Sequence, residues 1–131
     1  MPGYSGTPLP KKLGIKEGLC VRFIDAPAEV VSELKAALDQ CHEGKTSVDF
    51  AMLFTKSKAA LTKQFPSVAK QLTPAGMLWI SWPKKSSGVS TDLTEDVVRD
   101  IGLKAGLVDV KVCAVTEVWS GLKFVRRLKD R

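Results

Sequence analysis

The sequence predicts an α/β domain on a mostly parallel sheet that ends in an antiparallel hairpin. Three observations predict it. A short apolar run followed by an amphipathic stretch recurs three times; after Gly106 the pattern turns to alternation and returns as a hairpin; and 131 residues suffice for one continuous core without disulfides or metals. The expectation is one domain over residues 1–131, with residues 1–17 as an N-terminal arm packed on or near it.

The opening Pro2-Gly3-Tyr4-Ser5-Gly6-Thr7-Pro8-Leu9-Pro10 is dense in turn formers and follows neither hydrophobic period. Tyr4 and Leu9 are the residues able to dock it, and Lys11-Lys12-Leu13-Gly14 is suited to one helical turn closed by the glycine. Residues 19–25 form an apolar, β-branched run after Gly18, short enough for a buried strand. From Pro27, Val30, Val31, Leu34, Ala37 and Leu38 recur at three and four residues, which predicts a helix with proline in its first turn.

A second strand is predicted over 48–54 and a helix from about Ser57, capped by that serine and kinked or restarted at Pro66. Thr73-Pro74-Ala75-Gly76 reads as a turn. Residues 77–82 read as a third strand, apolar enough to be covered on both faces, and Pro83 stops it. Leu93, Val97, Ile101 and Leu103 mark the third helix. Val108, Val110, Val112 and Ala114 then alternate with Asp109, Lys111 and Cys113, and residues 122–127 return antiparallel to them. Three successive strand–helix units require right-handed crossovers and a parallel sheet.

Composition narrows the function classes. A 44% hydrophobic, 26% charged chain is globular rather than disordered. The net charge of +6 admits an anionic partner, yet much of the excess lies near the two ends, at Lys11, Lys12 and Lys16 and at Lys123, Arg126, Arg127, Lys129 and Arg131, where solvated charge is ordinary. Three cysteines without a Cys-x-x-Cys pair argue against a disulfide framework or zinc knuckle, and the lone His42 has no second nitrogen ligand. No metal site is expected. The first dozen residues lack the apolar core of a secretory signal and no later run reaches a membrane span, so a cytoplasmic protein is expected.

From Ser47 to Arg127 the cadence of strand, helix, Leu72-Thr73-Pro74-Ala75-Gly76 turn, strand, helix and closing hairpin resembles the C-terminal half of class I methyltransferases. That resemblance implies a Rossmann-like three-layer sandwich with a five-stranded sheet in the order 1-2-3-5-4, the last strand antiparallel and inserted. Over nearly its full length the chain also resembles a small bacterial family, a domain of unknown function. The carrying stretches are Gly3-Tyr4-Ser5-Gly6-Thr7-Pro8-Leu9, Lys11-Lys12-Leu13-Gly14-Ile15-Lys16, Trp82-Pro83-Lys84-Lys85, Thr91-Asp92-Leu93-Thr94-Glu95-Asp96 and Trp119-Ser120-Gly121-Leu122-Lys123-Phe124-Val125. It implies a fold and no activity. An adenosyl site would need a glycine-rich first turn and an acid after the next strand. The first turn here is Asp25-Ala26-Pro27-Ala28-Glu29, and the second methyltransferase strand with its acid is expected to be missing.

Ligands of open parallel sheets bind beyond the carboxyl ends of the strands. The candidate ligand-binding residues are therefore Asp25, Lys56, Trp82, Lys84, Lys85, Ser86, Ser87 and Gly88, with Lys84-Lys85-Ser86-Ser87-Gly88 the most site-like because cations, hydroxyls and a pliant backbone precede a helix. Asp92 and Glu95 read as an N-cap and its capping-box partner. Trp79 and Trp82, three apart on a strand, point to opposite faces. The main functional expectation is a small anionic ligand or a protein partner at the strand-end cleft. A degenerate methyltransferase-like enzyme and a weak nucleic-acid-binding module are the alternatives. No catalytic residue or cofactor is specified, and no membrane association is expected.

Overall fold

The computed structural model describes residues 7–131. Six strands make one sheet in the order β2-β1-β3-β4-β6-β5. In chain order they are β1 (Cys20–Ile24), β2 (His42–Glu43), β3 (Val48–Phe54), β4 (Leu72–Pro83), β5 (Leu107–Ala114) and β6 (Trp119–Arg126). The helices are α1 (Leu9–Leu13), α2 (Ala28–Leu38), α3 (Lys58–Ala69) and α4 (Glu95–Lys104). β1 to β4 run parallel, and β6 enters between β4 and β5 antiparallel to both. This is the Rossmann-like, methyltransferase-like arrangement expected, with the inserted antiparallel strand in place.

Alternation on the strands divides the core in two. Phe50, Met52, Phe54 and Trp79 face α1 and α2, where Leu9, Leu13, Val30 and Leu34 are buried. Ala51, Leu53, Leu78, Ile80 and Trp82 face α3 and α4, where Leu61, Phe65, Val68, Val98 and Ile101 meet them. Trp79 and Trp82 therefore do lie on opposite faces, both buried. The Trp79 indole donates to the Leu13 carbonyl at 2.8 Å, which ties the end of α1 to the middle of the sheet. The expected arm is in this respect part of the core: Leu9, Leu13 and Ile15 are buried, and α1 closes on Gly14 at φ 88. Tyr4 lies outside the described residues.

Four local expectations are corrected. The sheet has six strands, not five, because the two residues of β2 pair in parallel with Cys20 and Val21 at the outer edge. β4 starts at Leu72 rather than Met77: Leu72 pairs with Val48, and an irregularity between Val48 and Phe50 absorbs Thr73-Pro74-Ala75-Gly76 into the strand. α3 runs through Pro66 without restarting, held by buried Phe65 and Val68 on either side. The N-cap of α4 is Thr94, whose hydroxyl accepts from the Val97 N–H at 3.2 Å. Asp92 instead accepts from the Lys58 N–H at 2.7 Å, adding a carboxylate to the first turn of α3, where Ser57 is the N-cap as expected.

In the hairpin, a register shift between Asp109 and Lys111 interrupts the alternation, leaving Val110 and Val112 about half exposed on the edge strand. Arg99 fastens α4 to that strand through Asp109 at 2.9 Å while also reaching Glu95 at 2.7 Å. Its bond holds the Asp109 carboxyl below the ordinary carboxylate range.

Gly102 sits in α4 over the Phe124 ring, and a Cβ there would come within 2.0 Å of it. Helix propensity alone favours alanine at this site by about 1 kcal/mol. Overpacking opposes it at about 1–3 kcal/mol. Gly102→Ala is expected to destabilise the protein in urea unfolding, and a stabilised variant would refute this packing.

Candidate functional site at the carboxyl ends of β1 and β3

The chain leaves β1 into α2 on one face of the sheet and leaves β3 into α3 on the other. Adjacent strands whose connections part to opposite faces open a crevice at their carboxyl ends. Here it measures about 750 Å³, and Arg22, Asp25, Lys56, Ser57, Lys63 and Gln64 contribute to its walls. A second cleft of about 510 Å³ adjoins it along β1, where β2 stops after two residues, and is lined by Phe23, Asp25, Glu43, Gly44 and Lys45 among others. Arg22 and Asp25 border both.

Asp25 marks the junction. Its φ of 57 is left-handed, a conformation that a non-glycine residue adopts at some cost. The Lys56 loop is fixed from the other side: Thr91 donates its hydroxyl to the Lys56 carbonyl at 2.6 Å, beside the Asp92–Lys58 bond. Arg22 is oriented by a hydrogen bond to Gln71. Gly44 follows Glu43 because a Cβ at that position would stand 2.6 Å from the Cys20 sulfur.

The candidate residues divide. Asp25 and Lys56 line the crevice. Trp82 is buried under α3 and α4. Lys84, Lys85, Ser86, Ser87 and Gly88 form a 3-10 turn, Lys85–Ser87, closed by Gly88 at φ 77, and none of them borders either cleft. That turn satisfies itself: the Ser87 hydroxyl donates to the Lys84 carbonyl at 2.6 Å and accepts from the Val89 N–H. It also lies seven residues ahead of α4, so its lysines do not sit at that helix's N-terminus.

Arg22, Lys63 and Glu43 are the additions. Arg22 looks like any polar interruption of a strand, and Glu43 falls in a segment too short to show a period. The expectation that the second strand and its acid are missing is therefore wrong: β2 is present, only two residues long, and Glu43 ends it. Among the described residues no group of His, Cys, Asp or Glu is arranged to hold a metal ion, and no helix is long and apolar enough to cross a membrane.

No protein-family model and no curated protein matches the sequence. Solved structures do match. Magnesium protoporphyrin IX methyltransferase from Synechocystis with bound SAH superposes over 90% of this chain and 78% of its own, with TM-score 0.61 and 12% identity. A SAM dependent methyltransferase from Aquifex aeolicus matches over 87% and 85%, with TM-score 0.60 and 16% identity. Precorrin-6y C5,15-methyltransferase from Geobacter metallireducens matches over 91% and 86%, with TM-score 0.61 and 11% identity. At such identities the likeness is one of fold.

An adenosyl cofactor, which this fold class implies, meets two different surfaces here. Glu43 stands at the end of β2, about 20 residues beyond the first turn, where a carboxylate receives ribose hydroxyls in this topology. The β1–α2 turn has no glycine: Asp25, Ala26 and Pro27 each carry a side chain where an adenosyl site needs bare backbone. A carboxylate at that place suits ribose hydroxyls, whereas the glycine-free turn does not suit the methionine part of the cofactor, so no methyl-transfer step follows from these residues. Asp25→Gly is expected to raise unfolding stability by about 1 kcal/mol or less through relief of the left-handed strain; destabilisation of that size in guanidinium would show that the Asp25 side chain is structural.

The chain thus shares the fold of class I methyltransferases, with a crevice at its strand ends and no glycine in its first turn.

Proposed function

We propose that this protein is a degenerate methyltransferase-like domain that retains ribonucleoside recognition, binding a phosphorylated ribonucleoside across the carboxyl ends of β1, β2 and β3. The observation that carries the reading is Glu43, which closes β2 and lines one cleft with Asp25. An ionised carboxylate there accepts both ribose hydroxyl protons, a pair of charge-assisted bonds that a deoxyribose cannot match. The adjoining crevice supports a phosphate, because Arg22, Lys56 and Lys63 line it with Asp25 as the one acid. That balance favours a nucleotide over adenosylmethionine, whose sulfonium and ammonium groups bring positive charge. The small-anion expectation is kept in this form, with Lys56 inside the site and Lys84 and Lys85 outside it.

The second reading, a methyl-transferring enzyme, is supported by the fold of the similar structures and opposed by the Asp25-Ala26-Pro27 turn. Calorimetric titration separates the two. Adenosine 5′-diphosphate is expected to bind more tightly than S-adenosylhomocysteine, and Glu43→Gln is expected to weaken it about tenfold, the effect of losing roughly 1.4 kcal/mol of charge-assisted hydrogen bonding. 2′-Deoxyadenosine diphosphate is expected to bind the wild type as weakly as the ribonucleotide binds the variant. Tighter binding of S-adenosylhomocysteine, unaffected by Glu43→Gln, would overturn the nucleotide reading in favour of the enzyme.

A further inference from the structure

A second cationic centre lies on the other face of the sheet, between α1 and the hairpin. Lys123 pairs across the strands with Trp79 on one side and Lys111 on the other, so all three side chains project toward the face that α1 and α2 cover. The Lys123 ammonium ends beside Gly14, 4.0 Å from where a Cβ would stand. The Lys111 ammonium donates to the Lys12 carbonyl at 2.8 Å, and the Lys12 ammonium to the Ala114 carbonyl at 3.1 Å. Lys16 follows α1 within electrostatic reach of Lys123. Lys16 and Lys111 thus flank the Lys123 ammonium around the end of one short helix.

Part of this cluster has a structural task. Lys111 satisfies a carbonyl of the last turn of α1, which is what a cation at a helix carboxyl end does. That account covers neither Lys16 nor Lys123. Among the described residues, no ion pair includes Lys16, Lys111 or Lys123, and no hydrogen bond occupies the ammonium of Lys16 or Lys123. Like charges placed directly opposite on neighbouring strands repel. A half-buried ammonium whose charged neighbours among the described residues are ammonium groups is a costly arrangement unless an anion joins it. Burial, Lys111 and Lys16 all push the Lys123 amine below its ordinary range, and among the described residues no acid pulls the other way.

We propose that Lys16, Lys111 and Lys123 form an anion site for a di- or triphosphate group, separate from the strand-end crevice. Three neighbouring cations match a compact polyvalent anion better than a single carboxylate. A nucleic-acid strand is a poorer fit, since such grooves interleave cations with exposed aromatics. Trp79, which pairs across the strands with Lys123, is buried. The site lies on the face opposite the side chains of Arg22 and Ile24, so it is independent of the ribonucleoside reading.

Inorganic pyrophosphate titrated into the full chain at low ionic strength tests the proposal. Lys123→Gln and Lys111→Gln are each expected to weaken binding about tenfold or more, while Lys104→Gln, a distant lysine paired with Asp100, changes it less than about twofold. Removing the crowded charge is expected to leave the melting temperature of Lys123→Gln unchanged or raised, which keeps a binding loss distinct from unfolding. The amine of Lys123, followed by NMR, is expected to titrate at higher pH once pyrophosphate is bound. Lack of pyrophosphate binding at millimolar concentration would overturn the proposal. So would equal losses in Lys104→Gln, or a loss in Lys56→Gln with none in Lys123→Gln, which would assign the anion to the crevice instead. Binding of single-stranded DNA without pyrophosphate binding would equally refute a compact-anion site.

Discussion

The constraint on which the rest of the molecule depends is the reversal of direction between β1 and β3. Right-handed crossovers allow a sheet to grow one way with its helices on one face, and the other way only with its helices on the opposite face. β1 leads through α2 outward to β2; β3 leads through α3 inward to β4. The two strands are hydrogen-bonded neighbours from Val21 and Phe50 to Ile24 and Leu53, yet the loops that leave them part immediately. Everything candidate about the strand-end site comes from that parting: the space, the exposure of Asp25 and Lys56, and the access of Arg22 and Lys63 to it.

The same reversal accounts for an asymmetry in coverage. On one side of the pair, β3, β4 and β6 are packed under α3 and α4 with Phe65 against Phe124 at 5.2 Å, edge to face. On the other side β2 ends after two residues, so the outer edge of β1 beyond Val21 borders a cleft instead of a strand. The fold spends its apolar residues where the sheet is long and leaves polar ones, Arg22, Glu43 and Lys45, where it is short. At this short edge the chain carries Glu43 and has no glycine in its first turn, so the proposed ribonucleoside site and the fold likeness agree only in part.

Much of the architecture was legible because it rests on periodicity. The long apolar runs at 48–54 and 77–82, the helix spacing of Val30, Leu34 and Leu38 and the glycine closing α1 all carry signals that no tertiary contact overrides. The errors have physical causes too. β2 has two residues, and two residues have no period. Pro66 signals a break, but buried neighbours on both sides hold the helix through it. Asp92 and Thr94 both suit an N-cap, and only the position of α3 decides that Asp92 turns to Lys58. The candidate site was half legible: Asp25 and Lys56 follow from the strand-end rule, whereas Lys84 to Gly88 have the composition of an anion loop and fold into a turn that uses its own hydroxyl. Glu43 and Lys63 were invisible because isolated surface charges look alike until the sheet order places them.

Chemical-shift mapping on the uniformly labelled full chain with adenosine diphosphate tests the central claim most directly. Binding at the reversal point should move the amide signals of Asp25, Glu43, Gly44, Lys45 and Lys56 and leave those of Ser86 to Gly88 in place. Perturbations centred on residues 84–88, or none at saturating nucleotide, would contradict a ribonucleoside site at the ends of β1 and β3.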